Sequence, residues 1–533
     1  MKTGTAAGLA VSCLVAALAF ATFDDVMPGV ESDSLATWLL LAFGAVWFLA
    51  GCRTCGRRVS GRAKTGAGGF LALLVVFGGA TGPAPASAAN DDLRVVEAAE
   101  RQDWESARAL LEAGADINAA QPDGATALHW AVHWNDLPTA VALIEAGADI
   151  DAVNDLGVPP LWIALDNGGA EMALQLIEAG ADVHARLPSG ETMLMTAARN
   201  GLRTLVSRLI AGGADVRLAE HEAGQTALMW AAAGGHGDVV RLLAESGADV
   251  RGRSTGRFTA LTFAARAGDV ESVRILLDAG ADIEARAIDR STPLLIATRS
   301  TDALAGLEWR VIPFASGHEE TARLLIERGA DVTAVDRLGR TAVHAAVETR
   351  RPGLVRALVA AGADVNARYT DRVPALRGDY VSRAQFKGAT PFWLAARDAN
   401  LEVMRLLLDL GADPFLPNTA GTTPLMIASG LGENDARRPS DHRVVEAVQM
   451  LLDLGADVSA VNRSGQTALH GAASMWEDGV IQLLVDHGAD VNAEDGSGRT
   501  PLHLVEYGNA NAPSESTAAL LRALGATEPD VEQ

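Results

Sequence analysis

The chain has 533 residues, 49% of them apolar and 21% charged, a balance that belongs to a folded chain rather than a disordered one. Its 44 basic residues face 67 acidic ones, a net charge of −23, which argues against nucleic acid as a main partner because phosphate binding needs a basic face. Aromatic residues make up only 5%, so the core has to be built from small aliphatic side chains. Lysine occurs only as Lys2, Lys64 and Lys387 against 41 Arg, a usage that points to a GC-rich, bacterial genome.

Residues 1–66 carry two apolar runs, Ala6–Thr22 and Leu35–Gly51, each about 17 residues and so at the short limit for spanning a bilayer. A shorter run, Ala67–Ala80, follows Arg57, Arg58, Arg62 and Lys64 and precedes Ala86, Ser87 and Ala88. Basic residues, a short apolar stretch and small residues at a cleavage position describe a secretory signal peptide over 67–89. Two readings stand for 1–66: translation starts near Val59, or the region forms two membrane segments. Both keep the basic cluster in the cytoplasm and place everything after residue 89 outside it, periplasmic or secreted, with membrane contact only through the N-terminal segments. All three cysteines, Cys13, Cys52 and Cys55, lie here. Cys52 and Cys55 lack a second pair for zinc, and Leu49–Cys52 resembles a lipobox without the basic residue that should precede it. Beyond residue 89 neither disulfide nor thiol chemistry is available.

From residue 90 the chain repeats. Gly-Ala-Asp recurs with Gly at 114, 147, 180, 213, 247, 280, 329, 362, 411, 455 and 488, mostly 33 residues apart. Ten residues after most of these Asp stands a helix start such as Thr126-Ala-Leu-His129 or Thr500-Pro-Leu-His503. Thr suits an N-cap and Pro the first helical position. A short helix with small residues on one face follows, then a second helix with paired leucines, as at Leu242 and Leu243, ended by Gly. One such unit cannot bury its apolar face alone. This pattern resembles the ankyrin repeat over about 90–526, with a short tail at 527–533. The resemblance implies an all-α solenoid of about twelve helix-turn-helix units with β-turn fingers, preceded by the hydrophobic segments. It also implies binding of another protein through a concave groove, and it implies neither catalysis nor a cofactor. The opening unit, Asp92–Asp116, lacks the Thr start and carries Glu97, Glu100 and Arg101, as suits a polar cap. The third unit has Pro159 and Pro160 where Thr-Pro belongs, so its cap is missing. The motif His persists at 129, 344, 470 and 503, where the family uses it in the hydrogen bonds of the turns.

The second half is interrupted. Insertions fall at about 301–316 and 430–442, between the helices of their units, and at about 368–387, where a finger is lengthened. The 368–387 segment carries Arg368, Arg372, Arg377, Arg383 and Lys387 against Asp371 and Asp379, with Tyr369, Tyr380 and Phe386 among them. Beyond residue 89 the body has 38 basic and 63 acidic residues. A basic, aromatic loop on an acidic body is a candidate interface, as Arg and Tyr are enriched at binding hot spots; a tolerated surface insertion is the plainer reading. Around 301–316, Trp309, Val311, Ile312 and Phe314 suit packing on the solenoid.

The resemblance places the last turn of each first helix in the groove. That position reads His133, Asp166, Arg199, Ala233, Arg266, Arg299, Glu348, Arg397, Gly430, Ser474 and Tyr507. Arg199, Arg266, Arg299 and Arg397 could form a stripe for an acidic partner, or a solvated row. His133 and Trp134 offer an aromatic anchor, while Trp130 and Trp230 are expected in the core. His129 and His133 lack a third metal ligand, no phosphate loop or nucleophile elbow stands in the required context, and the repeated Asp is structural. An accessory subunit of an exported enzyme and a small-ligand binder are the alternative readings.

Overall fold

The computed structural model describes residues 93–299, 318–370, 386–432, 441–507 and 514–527. These residues form 24 helices in twelve consecutive pairs, within one contact unit spanning 88–533. The first helix of a unit is short, as in Ala127–His133, and the second longer, as in Leu137–Glu145. First helices of neighbouring units generally pack more closely than second helices, so the stack bends toward the first-helix face. None of the described helices is long and apolar enough to cross a membrane. The apolar runs of 1–89 lie outside the described residues.

Local sequence dictates each boundary. Thr192, Thr226, Thr259, Thr292, Thr390, Thr423 and Thr467 cap first helices, each hydroxyl accepting the amide three residues on. In the third unit Pro159 stands at the cap without a side-chain bond, yet the helix Pro160–Asp166 keeps its full length because Pro160 pre-sets the first turn. Second helices start on Asp103, Asp136, Asp269 or Asn400 caps in four units. They end on a left-handed Gly such as Gly147, φ +95°, whose amide bonds Ile144 while that of Ala148 reaches back to Leu143. The Asp of all eleven Gly-Ala-Asp tripeptides then accepts the amide two residues on, from Asp116 to Asn118 through Asp490 to Asn492. That bond is the structural reason for the repeated Asp.

Units are joined by a few recurring ties. Asn118 Nδ2 donates to Gly147 O while its Oδ1 accepts the Asp149 amide at 2.7 Å, and Asn366 and Asn492 repeat the arrangement. Successive fingers share one backbone bond each, as from Asp155 N–H to Asp123 O, Thr255 to Ala223 and Ile288 to Gly256. Pro188 has no N–H to give at the equivalent place, so that rung is missing. The 34-residue interval before Gly247 is explained by a finger one residue longer. There Glu220, one methylene longer than the usual Asp or Asn, reaches the amides of Glu222, Ala223 and Gln225.

The motif His works as the resemblance implies. His129, His344 and His470 each accept the cap Thr amide on Nδ1 and donate from Nε2 to the carbonyl of Val158, Ala389 or Arg499 in the next finger. Burial lowers the pKa of all three, that of His344 to about 4. Where His is replaced, substitutes appear. Thr262 Oγ1 accepts the Thr259 amide at 2.8 Å, and Trp393 Nε1 donates at 3.0 Å to Thr422 O, the carbonyl a His would have reached.

Candidate interaction surface

The last residue of each first helix faces the inner side of the fingers, and the structure decides how free each one is. Glu100, His133, Asp166 and Arg199 open the row. His133 and Trp134 are both exposed, Trp134 by 42%. Trp130 meets His133 edge-on at 5.7 Å and stacks with Trp134 at 6.4 Å. Trp130 and Trp230, expected in the core, are only half-buried. They sit on the groove floor because the helix turns this position toward the fingers, and Trp130 Nε1 donates to Gln121 in its own finger at 3.0 Å.

The arginines do not form one free stripe. Arg199 pairs with Asp166 and stacks over Trp230 with its guanidinium carbon 5.0 Å from the ring centre. Desolvation lowers the pKa of Arg266 to about 10. Arg299, placed in the groove by the sequence, is 4% exposed and ion-paired on both sides, to Asp289 at 2.9 Å and to Asp336. Arg397 bonds Asp398 and covers the Phe386 ring at 4.9 Å.

Arg299 belongs to a buried polar network that the sequence did not suggest. Asp336 also accepts Arg340 at 3.2 Å, Arg340 bonds Glu348 at 3.1 Å, and Glu348 accepts the Tyr369 hydroxyl at 3.0 Å. Burial opposes the charge on Arg340, but Glu348 and Asp336 outweigh it and raise its pKa. Burial likewise opposes ionisation of Glu348, and Arg340 and Arg397 outweigh that and lower its pKa. Burial and Glu348 together raise the Tyr369 phenol well above its ordinary value. Arg340, Glu348 and Tyr369 are therefore each held in the ionisation state their partners need. Of these, only Arg299 and Glu348 sit at the end of a first helix; finger positions three residues or more away supply the rest, which is why a list of groove positions missed them.

This network corrects two candidate contacts. Tyr369 and Phe386, expected on an exposed loop, are 4% and 8% exposed. Tyr369 meets the buried His344 ring at 4.7 Å, and Phe386 packs edge-on against Trp393 at 6.0 Å. Their rings form the root of the insertion, closed by bonds from Gly388 N–H to Tyr369 O and from Tyr369 N–H to Ala389 O. Arg372, Arg377, Tyr380 and Arg383 lie outside the described residues, as does the 301–316 insertion with Trp309 and Phe314. The roots of these two insertions, Arg299 and Tyr369, are joined by the one network. Across the first insertion the stack continues, with His318 N–H bonded to Ala297 O and Arg337 N–H to Asp289 O, each at 2.8 Å.

Further along, the groove is hollowed to a cavity of about 240 Å³ between Trp393, Ile427, Leu431, Gln466, His470 and Ser474. Small residues, Gly430, Gly471 and Ser474, stand there where other units carry Arg or large apolar chains. Gly471 also admits the Leu431 backbone, since a Cβ on it would lie 2.7 Å from the Leu431 nitrogen.

Models of ankyrin repeats match the chain over residues 95–187, 161–254, 194–287, 311–369 and 440–522, and a single-repeat model matches 387–419. The chain is 34% identical over 114 residues to the B-cell lymphoma 3 protein homolog of Mus musculus, covering 21% of this chain and 22% of that protein. It is 36% identical over 131 residues to a mitochondrial disaggregase of Bos taurus, covering 21% of this chain and 19% of that protein. The chain thus spans about a fifth of the length of either relative. Repeats of this kind generally mediate binding to other proteins. With the matched segments covering more than half of its length, the chain belongs to the ankyrin-repeat family.

Proposed function

We propose that this chain is an extracytoplasmic scaffold that binds a partner protein on the face formed by the first helices and the fingers. The observation carrying this reading is the fixed row of side chains along that face, held in place by the finger rungs and inter-unit ties before any partner arrives. Pre-organisation of this kind lowers the ordering cost of binding. The extracytoplasmic location rests on the signal-like segment 67–89.

The test uses the full chain, tagged at its C-terminus, cross-linked in the cells that make it and compared with a chain lacking 371–385. Those limits spare Tyr369 and Phe386, whose loss would open the core. A stoichiometric partner retained by the first and lost by the second places the contact on the inserted finger; one retained by both places it on the groove. Absence of any partner from both would count against the reading. Location is checked with Ser497→Cys, an exposed site in a region without native cysteine. Labelling by a membrane-impermeant maleimide in intact cells is expected, and labelling only after lysis would refute it.

A further inference from the structure

Resting on the scaffold reading, we propose that the groove of the first full units, around Trp130 and Trp134, is a docking site for a basic, arginine-bearing polypeptide segment of the partner. The argument starts from a comparison within the molecule. Trp230 and Trp130 occupy the same position in their helices, four residues after the cap Thr. Over Trp230 lies Arg199, the last residue of the preceding first helix, with its charge met by Asp166. At the corresponding place before Trp130 the chain has Glu100. The platform is therefore repeated, but the cation is replaced by a carboxylate.

The surroundings have the same sign. Asp123 and Asp155 are exposed on the fingers of these units, and Trp134 directs its Nε1 to the Glu100 carbonyl at 3.2 Å. Arg101, next to Glu100, is paired with Glu97, and Arg199, two units on, is held by Asp166. A guest guanidinium would find an indole face to stack on and carboxylates to pair with, the arrangement Arg199 makes over Trp230. Phosphate-bearing ligands are disfavoured by the same carboxylates. The groove beyond Arg266 differs, because Arg299 and Arg340 are satisfied there by Asp289, Asp336 and Glu348.

The test is fluorescence anisotropy with the full chain and a labelled peptide of Gly-Arg-Ser repeats, set against Gly-Glu-Ser and Gly-Lys-Ser repeats. The variants are Trp134→Ala and the double Asp123→Asn, Asp155→Asn, which keeps the acceptors and removes charge. The control is the double Glu112→Gln, Glu145→Gln, which removes equal charge from the ends of second helices. Expected are binding of the arginine peptide, weaker binding of the lysine peptide, none of the acidic one, and a Kd raised at least tenfold in either groove variant but less than twofold in the control. Equal weakening in the control, or no effect of Trp134→Ala, would overturn the proposal, and so would spermine competing as well as the peptide. A cross-linked partner whose capture survives both groove variants would sink this assignment and leave the scaffold reading standing. Failure to capture any partner would sink the scaffold reading itself.

Discussion

Acid should loosen the eighth and ninth units through His344. Its imidazole is fully buried, receives the Thr341 amide on Nδ1 and donates to Ala389 O, so only the neutral ring fits. Glu348, Arg340 and Asp336 face it, and burial dominates their combined field to hold its pKa at about 4 against an ordinary 6.5. The folded pKa is the lower of the two. The stability tied to the neutral ring is therefore complete above pH 6.5 and is lost as pH falls toward 4. Linkage gives a loss of about 2 kcal/mol at pH 5 and about 3 kcal/mol at pH 4 for this one group. The control is His344→Met, because Met195, Met229 and Met426 already stand at the same position in other units. Hydrogen exchange over residues 341–360, corrected for the intrinsic pH dependence, reports the local opening without assuming that a long stack unfolds as one body. Between pH 7 and pH 5 the wild-type segment should open roughly 20-fold more readily relative to the variant. Equal acid sensitivity in both chains, or an imidazole that titrates by NMR near 6.5, would refute the reasoning.

Three further outcomes are expected. Arg299→Ala strands Asp289 and weakens the field on buried Asp336, and should cost about 3–5 kcal/mol, seen as raised exchange in the seventh and eighth units; a loss below 1 kcal/mol would show the pairs to be incidental. Tyr369→Phe deletes one donor to Glu348 and should cost about 1–2 kcal/mol in the same measurement, with no added effect when Glu348 is already Gln. Gly471→Ala drives a methyl into the Leu431 backbone and should cost about 1–3 kcal/mol, localised to the seam between the tenth and eleventh units; an unchanged exchange pattern there would mean that the two segments separate easily.

The repeat was legible because each of its marks has a short-range cause. Thr caps, Pro opens, Gly ends, and Asp turns, all within four residues of the atoms they satisfy. What escaped was the content of the groove. Arg299, Arg340 and Glu348 look alike as charged residues on a 33-residue grid, and their burial follows from pairing across three units that no local window contains. The same holds for Tyr369. Its neighbours in sequence are those of a basic surface loop, yet its ring replaces the Asp or Asn that other fingers use and turns inward to Glu348. Trp130 failed in the opposite direction, since a helix-face count puts it inside and the finger beside it leaves it half open.

The rungs that bridge residues 300–317 separate two properties that usually coincide, continuity of the chain and continuity of the stack. Asp289 holds both the amide of Arg337 and the guanidinium of Arg299, and Arg299 in turn holds Asp336. A peptide bond cut anywhere between 300 and 317 would leave the seventh unit still fastened to itself and to the eighth. Such a nicked protein should travel as one particle under native conditions and as two fragments in denaturant, so the insertion could be shortened, opened or exchanged without dividing the molecule.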